Sequence, residues 1–117
     1  MLTLKWFTCG KDAHWCALDA LNLSTATESG VYIIWHEGNP GKVVYVGQGA
    51  PVSGRFAAHQ NDQRIQAYKK IGRLRVTWAS VPRAQRDGVE SYLADKLHPL
   101  SGDAHPIAVP IAVNSPW

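Results

Sequence analysis

The stretch GVYIIWHEGNPGKVVYVGQG, residues 30 to 49, constrains the fold more than any other part of the chain. Val31–Trp35 and Val43–Val46 are runs of β-branched and aromatic residues, and Gly38-Asn39-Pro40-Gly41 between them is rich in turn formers. This pattern predicts an antiparallel hairpin. With His36 paired to Val43, Ile34 faces Tyr45 and Tyr32 faces Gly47. Side chains alternate across a strand, so both phenols then share one face of the sheet, and Gly47 leaves space beside Tyr32. Taken alone, two strand tyrosines read as core aromatics with hydroxyls satisfied at the edge. Any further role depends on what the rest of the chain brings to them.

Helical periodicity surrounds the hairpin. Residues Asp12 to Leu23 predict a helix with Trp15, Ala17, Leu18 and Leu21 as its apolar stripe. Ser53 reads as the N-cap of a helix starting at Gly54, with Arg55 and His59 at i and i+4 on one side. Asn61 or Asp62 caps a further stretch of helix toward Gly72, with Ile65, Tyr68 and Ile71 inward. Leu74 to Val81 alternates as a third strand. Pro82 suits the first turn of a helix reaching His98 and buried through Val89, Tyr92, Leu93 and Leu97. Glu90 lies at the margin of that stripe, where it faces either a cleft or an ion-pair partner, Arg86, at i−4. The proline-rich tail from Leu100 is expected to be irregular.

A chain of 117 residues with 45% hydrophobic content builds one core. We therefore expect one domain spanning residues 30–117, with residues 1–29 as an N-terminal extension packed on it. The sequence has no apolar run of membrane-spanning length, and the first 25 residues carry Lys5, Lys11, Asp12 and Asp19. A cytoplasmic protein with no membrane partner is expected. Cys9, His14 and Cys16 are too irregularly spaced for a convincing zinc site, and the expectation is two free buried thiols.

The net charge of +3 is unevenly spread. From Arg55 to Arg86 eight Lys and Arg residues face one acid, Asp62. Arg64, Lys69, Lys70, Arg73 and Arg75 form an acid-free block within that segment, which either attracts a polyanion or is an ordinary solvated face.

The ordered set Gly30-Val31-Tyr32, Tyr45-Val46-Gly47, Arg55, His59, Glu90 and Asn114 resembles the GIY-YIG nuclease family, with GVY and YVG where the family name is written. The resemblance covers nearly the whole chain, from Ser29 to Pro116. It implies an α+β fold in which a small three-stranded antiparallel sheet is flanked by helices. The implied activity is DNA endonuclease action with one Mg2+ or Mn2+, giving 5′-phosphate and 3′-hydroxyl ends. By the resemblance Glu90 holds the metal, Arg55 stabilises the phosphate, and Tyr32, Tyr45 and His59 surround the nucleophilic water. Gly47, the basic block and Asn114 are assigned to DNA. The connection from Glu90 to Asn114 is longer than the family usually shows, and Gln48 stands where some members carry a lysine.

The chemistry of these residues agrees with that set. Phosphodiester hydrolysis needs a positioned water, a base and positive charge on the phosphate. A single glutamate suits one hard cation completed by water and phosphate oxygens. Arg55 offers a fork for two phosphate oxygens. A tyrosine with a free pKa of about 10 is an awkward base, so Tyr32 and His59 both stand as candidates. The alternative is a nucleic-acid-binding module that keeps the fold without the chemistry. A binder gains nothing from a cleft carboxylate that repels phosphate. The expected substrate is DNA, single-stranded, distorted or duplex, and specificity is expected to come from the domain itself, a homodimer or a partner protein.

Overall fold

The computed structural model describes residues 1–102 and 105–117. Its centre is an antiparallel sheet of strands β1 (Cys16–Ala17), β2 (Gly30–His36), β3 (Lys42–Gly49) and β4 (Leu74–Ser80), in the order β1-β4-β2-β3. Helix α1 (Val52–Gln60) and the short α2 (Gln63–Gln66) follow the hairpin, and α3 (Arg83–Leu97) follows β4. The expected α+β class holds, but the sheet has four strands and not three. The addition is β1, whose Cys16 and Ala17 pair with Val76 and Arg75.

Central β2 is buried on both faces, which is why its sequence is almost continuously apolar. Tyr32 and Ile34 join Phe56, Ile65, Val76 and Trp78 in a core beneath α1 and α2. Val31 and Ile33 join Val46, Ala79, Val89 and Leu93 in a second core beneath α3. Helices thus cover the sheet on both sides.

The hairpin register departs from expectation at one point. His36 pairs with Lys42, not Val43, while Ile34 still meets Tyr45 and Tyr32 meets Gly47. The register shift falls between Ile34 and Trp35, with Val44 as the extra residue. Val44 and Tyr45 consequently both belong to the α1-side core although they are consecutive.

The N-terminal segment is not the expected helix. Cys9 and His14 form an antiparallel bridge around a turn that includes Gly10 (φ +72°), and the chain then enters β1 and two short 3-10 turns, Leu18–Ala20 and Leu23–Thr25. Asn22 caps the second through a 3.1 Å bond from the Ser24 N–H. Pairing to β4 wins over helical propensity here, because the Phe7 N–H donates to the Trp78 carbonyl and Arg75 Nη1 donates to the Trp15 carbonyl. The turn brings Cys9 and Cys16 to a Cα separation of 5.1 Å, and they form a disulfide in place of two free thiols.

Helix α1 starts at Val52, two residues before the expected start. Its N-cap is Pro51 and not Ser53. Val52 is fully buried and its N–H donates to the Glu28 carbonyl, so the N-terminal segment satisfies the helix start that Ser53 was expected to cap. Asp62 caps α2 as expected, accepting from the Arg64 N–H. A 3-10 turn, Ala67–Lys70, then replaces further helix and leaves Ile71 exposed instead of inward. No helix among the described residues is long and apolar enough to cross a membrane.

Candidate active site

Tyr32 and Tyr45 do share one sheet face, stacked with ring centroids 6.0 Å apart. Gly47 is what makes this arrangement fit. A Cβ there would lie 2.6 Å from Tyr32 Oη and 2.8 Å from Tyr45 Cε1, so only glycine lets both rings approach the strand. From α1, His59 reaches down between them. Its ring centroid is 4.5 Å from that of Tyr45, and its Nε2 is 2.6 Å from Tyr32 Oη. Arg55, one turn earlier and exposed, donates from Nη2 to Tyr45 Oη at 3.4 Å. The i, i+4 pair shares one side of α1, as its spacing predicts, and that side lies over the two phenols.

Burial decides the protonation of this cluster. It pushes the Tyr32 phenol well above its ordinary value, against the pull of the Arg55 guanidinium. Burial, reinforced by the Arg55 charge, pushes His59 down to about 4. At neutral pH both groups are uncharged. The neutral phenol then donates to Nε2, leaving the His59 proton on Nδ1, which is buried and has no hydrogen-bond partner among the described residues.

Glu90 projects from α3, nearly buried. It does not pair with Arg86, whose Nε donates to the Val81 carbonyl. Gln48 Nε2 donates to Glu90 Oε1 at 3.1 Å and to Asp87 Oδ1 at 2.8 Å. His105 Nδ1 lies 2.8 Å from Glu90 Oε2. The negative charge of Glu90 reaches Tyr32, adding to the effect of burial. His105 and Asp87 gave no sequence signal: the first sits in an irregular tail, the second on a helix that also exposes Arg83, Asp95 and Lys96. A divalent cation here would rest on the Glu90 carboxylate, with the His105 imidazole beside it and water completing the shell. No group of three or more His, Cys, Asp or Glu side chains arranged to hold a metal occurs among the described residues.

The remaining expected residues are not gathered there. The Asn114 side chain pins the two ends of the chain together, accepting from the Leu4 N–H at 2.6 Å and donating to the Leu4 carbonyl at 2.9 Å. The basic block is divided. Arg64 is near enough to His59 to influence its charge, and it pairs with Asp62 at 3.6 Å. Lys69 turns to Asp19 at 3.4 Å, and Arg75 is held by Glu37 at 2.7 Å. Lys70 and Arg73 are exposed.

Comparisons of the chain with protein-family models, with curated proteins and with solved structures returned no match.

Proposed function

We propose that the protein is a metal-dependent DNA endonuclease of GIY-YIG type. The observation that carries this reading is the buried contact between Tyr32 and a neutral His59, roofed by Arg55 and given room by Gly47. In the reaction, substrate binding would draw the Arg55 side chain aside and admit the attacking water to Tyr32 Oη, which is fully buried in the free protein; Oη then takes a proton from that water while passing its own to His59 Nε2. The water oxygen bonds to phosphorus, the bond to the 3′-oxygen breaks, and that oxygen leaves with the electron pair and is protonated from solvent. The products are a 5′-phosphate and a 3′-hydroxyl. Such base assistance is worth about 10²–10⁴ in rate.

Burial and the Arg55 charge leave the resting histidine a weak base. A phosphodiester seated on Arg55 offsets the positive charge that helps depress His59, so the base strengthens when substrate arrives. Glu90 would hold one Mg2+ or Mn2+, which when bound supplies positive charge to the phosphate and the departing oxygen. Lys70 and Arg73 would contact the DNA backbone.

A second reading, a nucleic-acid-binding module without catalysis, is favoured by one observation: both Glu90 oxygens already have partners, Gln48 and His105. Incubating end-labelled single-stranded, duplex and branched DNA with the protein, with Mg2+ or Mn2+ and with a chelator, separates the two. Metal-dependent cutting supports the nuclease; tight binding with intact DNA supports the module.

A further inference from the structure

We propose that His105 is a second protein ligand to the cation held by Glu90, so that the site prefers a cation with affinity for imidazole nitrogen, Mn2+ or Co2+, over Mg2+. This rests on Glu90 being the metal-holding carboxylate. His105 is fifteen residues from Glu90 in sequence, yet its Nδ1 lies 2.8 Å from Oε2. Neighbouring ligands on a six-coordinate ion with bonds of about 2.1 Å stand roughly 3 Å apart. The pair is thus already spaced as two adjacent ligands, and a cation can bridge it in place of the shared proton with little rearrangement.

Backbone contacts on both sides of His105 set this approach. Before it, the Leu100 and Ser101 N–H groups donate to the Val43 and Val44 carbonyls, attaching the chain to the edge of β3 at the bulge. Gly102 (φ +121°) rests against the Tyr45 ring, and a Cβ there would be 3.1 Å from Cε2. After it, the Ile111 N–H donates to the Gly88 carbonyl of α3, two residues before Glu90. Gly88 admits this crossing, since a Cβ would meet Ile111 Cδ1 at 2.7 Å. His105 thus lies in sequence between a contact to β3 at Leu100 and Ser101 and a contact to α3 at Ile111. A carboxylate oxygen with an imidazole nitrogen is a mixed donor set that suits Mn2+, Co2+ or Ni2+ better than Mg2+, which favours oxygen.

The test is calorimetric titration of the full chain with MnCl2, CoCl2 and MgCl2, without DNA. All proteins carry His14→Gln, because the exposed Asp12–His14 pair, 2.6 Å apart, would also chelate. His105→Gln is expected to weaken Mn2+ and Co2+ binding by about tenfold or more, given that even outer partners of metal ligands are worth 10–100-fold. Mg2+ should be little affected, and Glu90→Gln should abolish binding of all three. If His105→Gln leaves Co2+ affinity unchanged while Glu90→Gln removes it, the second ligand is refuted and the glutamate site stands. If Glu90→Gln changes nothing, both fall. With His105 itself intact, paramagnetic Mn2+ should broaden the His105 imidazole NMR signals first; sharp His105 signals at saturating Mn2+ overturn the proposal independently of any substitution at that position.

Discussion

The Tyr32 hydroxyl and His59 Nε2 lie 2.6 Å apart in a region closed to solvent, joining the central strand to the helix that follows the hairpin. If the protein is the nuclease proposed above, this contact serves both the fold and the chemistry. Tyr32→Phe is expected to lower cleavage about a hundredfold or more. It also strips His59 of its only side-chain hydrogen bond among the described residues, so unfolding free energy should fall by about 1–3 kcal/mol. Adding His59→Leu should restore most of that stability and none of the activity. Denaturant melts of the two variants check this.

The depressed basicity of His59 makes stability depend on pH. Unfolded, the imidazole takes a proton near its ordinary value of about 6.5; folded, it does so only near 4. Between these values the unfolded state binds more protons, so stability is fully present above about 6.5 and is lost as pH falls toward 4. Subtracting the stability-versus-pH curve of His59→Leu from that of the native chain should isolate a slope confined to this window. Parallel curves would mean that His59 is solvated.

Part of that depression comes from Arg55, so Arg55→Gln should raise the His59 pKa toward 6.5. NMR titration of the imidazole reads this directly, without DNA or metal. An unchanged titration would separate Arg55 from the cluster.

Gly47→Ala should place a methyl group against both phenols. An added methyl in a packed site costs typically 1–3 kcal/mol, and here it also displaces Tyr32 Oη. The expected result is a folded protein with a lower melting temperature and cleavage reduced as far as in Tyr32→Phe. Full activity would show that the glycine serves the backbone alone.

What was legible in the sequence was local. Alternation placed Tyr32 opposite Gly47, i, i+4 spacing placed Arg55 and His59 together, and Pro82 marked the start of α3. The bulge at Val44 was hidden because VVYV reads equally well in either register. The N-terminal helix was a wrong choice of period. Trp15, Leu18 and Leu21 fit a helical stripe, yet Cys16, off that stripe, is fully buried through its pairing with Val76. Asn114 and His105 depend on contacts 110 and 15 residues away, Leu4 and Glu90, which no local pattern encodes. Arg75 belongs to the acid-free block in sequence only, because Glu37, 38 residues away, holds it in the fold.

The most direct measurement of the central claim is the rate of cutting of end-labelled DNA by the native chain, Tyr32→Phe and Glu90→Gln, with divalent metal and with chelator. The account predicts 5′-phosphate and 3′-hydroxyl products that vanish with chelator, with Tyr32→Phe slowed about a hundredfold or more and Glu90→Gln inactive though still able to bind DNA. Cutting that survives chelation, or equal rates for all three proteins, would contradict it.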